Sequence, residues 1–311
     1  MSRLHFKLGT RGSPLAMWQA ERVSALLMEK CPDIRIEVVI IHTLGDKVLD
    51  RPLVQLGDKG LFTREIETAL QKQEIDFAVH SFKDLPTVLP QGLGIVSIPE
   101  RDSPFDALFS HKATSLRALP ENPTIATGSL RRRAQILALR PDAKVVDLRG
   151  NVNTRVEKFL KSNWDGMIMA HAGIRRMNWE DRMAGVLAPE EMLPAPAQGA
   201  LAIEARVDDG ETVSLLREIH DEEAAWAVTA ERAFLATLEG GCQVPMGAYA
   251  HLNNGTLHLE GLVASIDGKR LIRQSISGDR EEAETLGKSL AEQVYQAGGG
   301  EIIEELKKLN G

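Results

Sequence analysis

The sequence predicts an α/β chain with two hinged lobes and a small C-terminal α+β domain that carries an antiparallel three-stranded sheet. Three observations carry this. Strand-like and helix-like runs alternate through the first 200 residues, the pattern of a mostly parallel sheet with crossover helices. Two Pro-rich segments, at 98–104 and 193–199, interrupt the alternation as linkers. Beyond them the pattern changes to hairpin-linked strands and then to helical periodicity.

The elements follow in order. Residues 4–9 alternate and suit a strand. In Thr10-Arg11-Gly12-Ser13-Pro14, Ser13 is a good N-cap and Pro14 a good first helical residue. Over 15–30, Leu15, Trp18, Val23, Leu26 and Leu27 recur at helical spacing, and Cys31-Pro32-Asp33 ends the helix. The apolar, β-branched run 34–41 is a second strand. A helix is expected over 62–73, a short strand over 76–80, and then the loop Ser81-Phe82-Lys83-Asp84-Leu85-Pro86. After the first linker the pattern restarts: strand 124–127, turn Gly128-Ser129, helix 130–139, strand 144–148, helix 152–161 and strand 166–170, running into Ala172-Gly173-Ile174-Arg175-Arg176. In the last third a helix over 230–238 ends at Glu239-Gly240-Gly241-Cys242. Three strand-like runs within 249–276 are parted by the turn signals Asn253-Asn254-Gly255 and Asp267-Gly268, and helical periodicity returns over 280–297 and 301–309. The expected domains are 1–98 with 199–218 as lobe one, 104–193 as lobe two, and 222–311 as the C-terminal domain.

Composition narrows the function. The chain has 311 residues and a net charge of −7, an acidity that argues against general nucleic-acid binding. The charge is uneven: residues 1–200 hold 27 basic and 24 acidic groups, leaving the remaining 10 basic and 20 acidic groups to the last third. Two cysteines, Cys31 and Cys242, cannot make a disulfide framework or a four-cysteine zinc site, and no His, Cys or Asp cluster has metal-ligand spacing. No apolar run approaches membrane-spanning length and the first residues lack a signal-peptide core, so a cytoplasmic protein without membrane contact is expected.

The basic residues of the first 200 positions gather at strand-to-helix turns. Arg11 precedes Ser13; Ser129, Arg131 and Arg132 open one helix; Arg149 and Arg155 bracket another; Arg176 follows a fourth strand. Helix N-termini offer free N–H groups, and arginine adds forked donors that match carboxylate or phosphate. With no P-loop or G-x-G-x-x-G motif, a cleft for a ligand bearing several carboxylates is favoured. Of Arg131-Arg132-Arg133, Arg133 is expected to face solvent. Asp84 reads either as a turn-forming residue or as a carboxylate held among cations, able to stabilise positive charge or move protons. His80, alone on its run, reads as structural. Cys242 lies between a Gly-Gly pair and Pro245, a shaped loop that suits a reactive or modified thiol, whereas Cys31 at a helix end reads as inert.

Taken together the motifs carry a resemblance. Thr10–Ala16, Gly60-Leu61-Phe62, His80–Pro86, Gly128–Arg132, Leu148–Asn151 with Thr154-Arg155, Ala172–Arg176, Pro196–Gly199 and Glu239–Pro245 occur in order at spacings that resemble the porphobilinogen deaminase family, over essentially the whole chain. The resemblance implies periplasmic-binding-protein-like lobes and an enzyme that links four porphobilinogen molecules head to tail into linear hydroxymethylbilane, releasing ammonia. It implies a dipyrromethane cofactor held by a thioether to Cys242, with Lys83, Thr127, Gly128, Ser129, Arg131, Arg132 and Arg149 around it. It implies Asp84 as the catalytic carboxylate, and Arg11, Ser13, Asp46, Lys59, Phe62, Arg155, Arg176 and Gln198 as substrate contacts. It further implies a monomer, while the charge balance and residue spacing point to no nucleic-acid partner and no metal. Each pyrrole ring brings an acetate and a propionate, which accounts for the many cations. The sequence departs from the family pattern at Leu44, Gln55, Asp58 and Gly128. A bilobal anionic-solute-binding or effector-sensing protein is the alternative on the same fold; it leaves the Gly-Gly-Cys loop and Lys83-Asp84 without a purpose. A cysteine-dependent hydrolase lacks a base.

Overall fold

The computed structural model describes residues 3–44, 63–238 and 244–310, with side chains to residue 309. Two compact units contain them: residues 1–101 with 200–225, and 102–199 with 226–311.

In chain order the first stretch is β1 (His5–Thr10), α1 (Pro14–Lys30), β2 (Arg35–Ile40), α2 (Arg64–Gln71), β3 (Phe77–Ser81) and β4 (Leu93–Ser97). Next come β5 (Asp106–Phe109), β6 (Thr124–Ala126), α3 (Leu130–Leu139), β7 (Lys144–Val146), α4 (Val152–Leu160), β8 (Gly166–Ala170), α5 (His171–Arg175) and β9 (Gly185–Val186). The chain returns to the first unit through β10 (Leu201–Arg206) and α6 (Gly210–Arg217). It ends with α7 (Glu222–Thr237), β11 (Met246–Asn253), β12 (Thr256–Ala264), β13 (Leu271–Asp279), α8 (Ala283–Val294) and α9 (Gly300–Asn310).

The described strands of the first unit form one sheet in the order β2-β1-β3-β10-β4, and those of the second a sheet in the order β7-β6-β8-β5-β9. Both are mostly parallel, as expected. In each, one strand runs against both of its neighbours: β10 against β3 and β4, and β5 against β8 and β9. Each is the first strand after a Pro-rich segment. No sequence signal marks β4, β5, β9, β10 or α6; β5 and β10 are buried almost throughout and lose the polar–apolar alternation that identifies half-exposed strands, and β9 is only two residues long. The helix expected at 230 starts instead at Glu222, and the strand expected to end at Leu148 ends at Val146.

Helices cover both faces of each sheet. In the first unit Phe6, Leu8, Val79 and Ile203 pack against Ala20, Val23 and Leu27 of α1, while Ala78 packs on the other face against Ile66, Ala69 and Leu70 of α2. The second sheet repeats this: Ile125 and Ile168 pack with Ile136 of α3, and Ala126, Met167 and Met169 with Val156 and Phe159 of α4. α1 and α2 therefore lie on opposite faces of the first sheet, and α3 and α4 on opposite faces of the second. That arrangement opens a crevice between β1 and β3, and between β6 and β8, at the strand C-termini, where such folds bind ligands. The C-terminal domain packs its antiparallel β11-β12-β13 sheet against α7, α8 and α9 around Phe234, Leu259, Leu290 and Ile303. Asn254 and Gly255, at φ 51° and 80°, make the first of its hairpin turns in the left-handed backbone region that the Asn-Asn-Gly signal predicts.

Candidate functional site

In the first unit, β1 and β3 run parallel with Gly9 beside Ala78, so both strands deliver their C-terminal residues to one edge. Ser13 caps α1 there, its hydroxyl accepting from the Ala16 amide at 3.3 Å, and Pro14 opens the helix. Gln19 reaches back from α1 and donates to the Ser81 hydroxyl at 2.8 Å. After β3 a single 3₁₀ turn, Phe82–Asp84, is anchored by the buried Phe82 and Leu85 and leaves Asp84 exposed and Lys83 half-buried. Arg11, Ser13, Gln19, Thr63, His80, Ser81 and Asp84 line one cavity of about 100 Å³. A larger, open depression of about 520 Å³ lies on the C-terminal helices around Tyr295, Glu301, Glu304 and Lys308, away from every residue expected to do chemistry.

In the second unit the crevice lies at the end of β6. Thr127 is buried, and its hydroxyl accepts from the Ser129 amide at 3.2 Å. Ser129 caps α3, accepting from the Arg132 amide at 3.4 Å. A Cβ at Gly128 would stand 2.4 Å from the Leu148 carbonyl oxygen, so the local backbone requires glycine here. Gly128→Ala is expected to destabilise the chain by about 1–3 kcal/mol. Urea unfolding measures it, and an unchanged midpoint refutes it. Asn151 caps α4 by accepting from the Thr154 amide at 2.9 Å. Arg149 and Arg155 stay partly exposed there: Arg149 Nε donates to Asp147 at 3.2 Å, and Arg155 Nε to the Gly150 carbonyl at 2.7 Å.

Arg131 and Arg132 point into the lobe, each 6% exposed. Both meet Asp106, a fully buried carboxylate on β5: Arg131 Nη1 at 2.8 Å, Arg132 Nη2 at 2.7 Å and Arg132 Nε at 3.1 Å. Gln198 adds an Nε2 donor to Asp106 at 3.0 Å and also donates to the Pro104 and Phe105 carbonyls. Burial alone would raise the Asp106 carboxyl; the two guanidiniums reverse this and hold it far below the usual carboxylate range. Two guanidiniums against one carboxylate leave a buried surplus of positive charge, and Arg131 Nε has no hydrogen-bond partner among the described residues. Arg133, expected to face solvent, is half-buried and lies 3.4 Å from the Val145 carbonyl. Arg176 is buried; it donates to the Gly199 carbonyl at 2.7 Å and stands 3.4 Å from Asp102, joining the two Pro-rich segments.

The structure thus gathers Arg11, Ser13 and Asp84 on one cavity, and Thr127, Gly128 and Ser129 on one turn. It brings Arg131, Arg132 and Gln198 together on one carboxylate. Asp46, Lys59, Phe62 and Cys242 lie outside the described residues. Cys31 is a free, half-buried thiol. Asp106 and the fully buried Glu204 escaped sequence reading. The available signal was a single acid inside an otherwise apolar run, Phe105-Asp106-Ala107-Leu108 and Ala202-Ile203-Glu204-Ala205. Among the described residues no group of His, Cys, Asp and Glu could hold a metal ion, and no helix is long and apolar enough to cross a membrane.

Two family models match the chain: "Porphobilinogen deaminase, dipyromethane cofactor binding domain" over residues 6–214, and "Porphobilinogen deaminase, C-terminal domain" over residues 225–296. A curated porphobilinogen deaminase of Chloroherpeton thalassium is 47% identical over 307 residues, covering 97% of this chain and 98% of that protein. One of Syntrophomonas wolfei is 48% identical over 304 residues, covering 98% and 99%. Among solved structures, a putative methionine-binding lipoprotein of Bacillus subtilis matches at 12% identity and a TM-score of 0.41, covering 71% of this chain and 92% of that one. A nutrient binding protein of Burkholderia cenocepacia, bound to methionine, matches at 14% identity and 0.42, covering 70% and 93%.

Proposed function

The chain belongs to the porphobilinogen deaminase family, transferases of tetrapyrrole biosynthesis with a dipyrromethane cofactor, and from that premise we propose that it joins four porphobilinogen molecules head to tail into hydroxymethylbilane on a primer carried by Cys242. The observation that carries this reading is the match to both family domains along nearly the full chain. We further propose lobes at 1–98 with 199–218 and at 104–193, a C-terminal domain at 222–311, and a cytoplasmic monomer.

The residues described fit the cofactor. Its rings carry carboxylates, and lobe two has a buried surplus of positive charge and an Arg131 Nε without a partner among the described residues. Thr127, Gly128, Ser129, Arg131, Arg132, Arg149 and Lys83 are the residues that would hold it. When bound, it supplies the free pyrrole α-carbon to which substrate is added.

The protein's own residues then have separate tasks. Arg131 and Arg132 are pre-oriented by Asp106, so their charge is set before any ligand arrives and needs no reorganisation on binding. Ser129 and Asn151 fix the starts of α3 and α4, whose N-terminal dipoles favour anions. Arg155, Arg176 and Gln198 would serve substrate in lobe two, Gln198 by holding Asp106 and Arg176 by joining the Pro-rich segments. Arg11 and Ser13 would receive a substrate carboxylate at the N-terminus of α1. Asp84, on the same cavity, would hold the pyrrole N–H and offset the positive charge that develops on the ring. Asp46, Lys59 and Phe62 would complete the substrate contacts.

Intact-mass spectrometry of protein from a porphobilinogen-producing host tests the reading. The expected result is a covalent surplus of two pyrrole units that maps to the Cys242 peptide. A bare polypeptide mass, or a surplus on Cys31, overturns it.

A further inference from the structure

His80, which lines the lobe-one cavity, belongs to a buried acid–histidine cluster. His80 on β3 is 7% exposed, and its Nε2 lies 3.0 Å from Oε2 of the fully buried Glu204 on β10. The antiparallel register sets Ala202 opposite His80 and Glu204 opposite Ala78, so both side chains stand on the sheet face that α2 covers. Glu67 of α2 is buried on that face. Burial pushes its carboxyl up and Glu204 adds to the push, while Thr63, His80 and Arg64 act against it. Oε1 of Glu204 and Oε1 of Glu67 meet no hydrogen-bond partner among the described residues.

Such a cluster is costly in a sheet face otherwise filled by Ala78, Ile66 and Leu70. An apolar residue at each position would pack as well, so stability does not explain it. Chemistry does. With the Glu204 carboxylate as acceptor, His80 Nε2 donates, and Nδ1 is the ring nitrogen left to take up a proton. This is how a carboxylate fixes the tautomer and orientation of a general base. The ring lines the same cavity as Arg11, Ser13 and Asp84.

Resting on the reaction proposed above, we propose that His80 takes up the pyrrole α-carbon proton lost as each methylene bridge forms, with Glu204 as its positioning residue. The bond between the aminomethyl carbon of porphobilinogen and its ammonium nitrogen breaks, and ammonia leaves with the electron pair. A carbon–carbon bond forms from that aminomethyl carbon to the neighbouring pyrrole α-carbon. The α C–H electron pair returns to the ring, and the proton passes to His80 Nδ1. From there it leaves with the ammonia as ammonium. Asp84 is thereby released from acting as the base and keeps the ring N–H.

The test uses the holoenzyme, with ordinary porphobilinogen and with porphobilinogen deuterated at its free α-carbon. His80→Asn is expected to lower kcat by about a hundredfold and to raise the deuterium isotope effect, because proton removal becomes rate-limiting. Glu204→Gln, which keeps shape and size, is expected to lower kcat by about tenfold with a rise in the same isotope effect. It answers the question even if His80→Asn fails to fold. Apart from turnover, ¹⁵N NMR of histidine-labelled protein is expected to show His80 as the Nε2–H tautomer. A loss of rate with no rise in isotope effect assigns the cluster a structural role and overturns the inference, as does an Nδ1–H tautomer. Wild-type protein that makes no hydroxymethylbilane sinks the underlying reaction instead. Wild-type turnover matched by His80→Asn sinks this inference alone.

Discussion

Asp84→Asn is expected to leave the protein folded and to lower turnover by about 10²–10⁴-fold. The first half follows from where Asp84 sits. The turn that carries it is fixed by Phe82 and Leu85, each 4% exposed, by the Phe82 amide on the Ala200 carbonyl at 3.1 Å, and by the Leu85 amide on the Phe82 carbonyl at 3.2 Å. Asp84 itself is exposed, so exchanging its carboxylate for an amide disturbs no core contact. The second half follows from charge. An amide can still accept a hydrogen bond from a pyrrole N–H, but it cannot offset a positive charge that develops on the ring. Steady-state turnover, read beside a thermal melt, separates the two. An unchanged melt with a near-normal rate rejects Asp84 as the catalytic carboxylate.

Asp106→Ala is expected to destabilise the chain by about 3–5 kcal/mol, the usual cost of removing one partner from a buried ion pair. Asp106 accepts from Arg131, Arg132 and Gln198, and its loss leaves two buried guanidiniums facing each other without a counter-ion. Asp106 is fully buried, so water does not readily replace its carboxylate. The pH dependence has a defined sign. The folded-state pKa lies well below the unfolded value of about 3.9, so the stability contributed is complete above that value and is lost as pH falls through the folded one. Urea unfolding at pH 7 and pH 5 is therefore expected to give the same Asp106→Ala deficit. A deficit under about 1 kcal/mol refutes the role.

Both residues mark how far the sequence could be read. The turn that carries Asp84 was legible because it follows a short strand and precedes a proline, whereas a catalytic role for Asp84 was implied only by the family motif. Ser13, Ser129 and Asn151 were legible as turn residues because N-capping is a local property of backbone and side chain. Asp106, Glu204 and Glu67 were not. A buried acid is bound by partners remote in the chain: Asp106 meets Arg131 and Gln198, and Glu204 meets His80. No local pattern encodes those pairings. The same limit hid β5 and β10, the strands that carry the first two of these acids, and led to Arg133 being read as the solvent-facing arginine of its trio.

What the sequence determined by itself was the alternation of elements, the caps, the hairpin turns and the family, all set by neighbours along the chain or by motifs in order. What only the tertiary structure decided was which charges meet. Strand order places β5 beside β8 and β10 beside β3 and β4, and those neighbours bring an aspartate under two arginines and a glutamate under a histidine. The physical reason is that burial removes water as the competing partner. A carboxylate inside a sheet must be satisfied by whatever the fold puts next to it, and that is settled in space rather than along the chain.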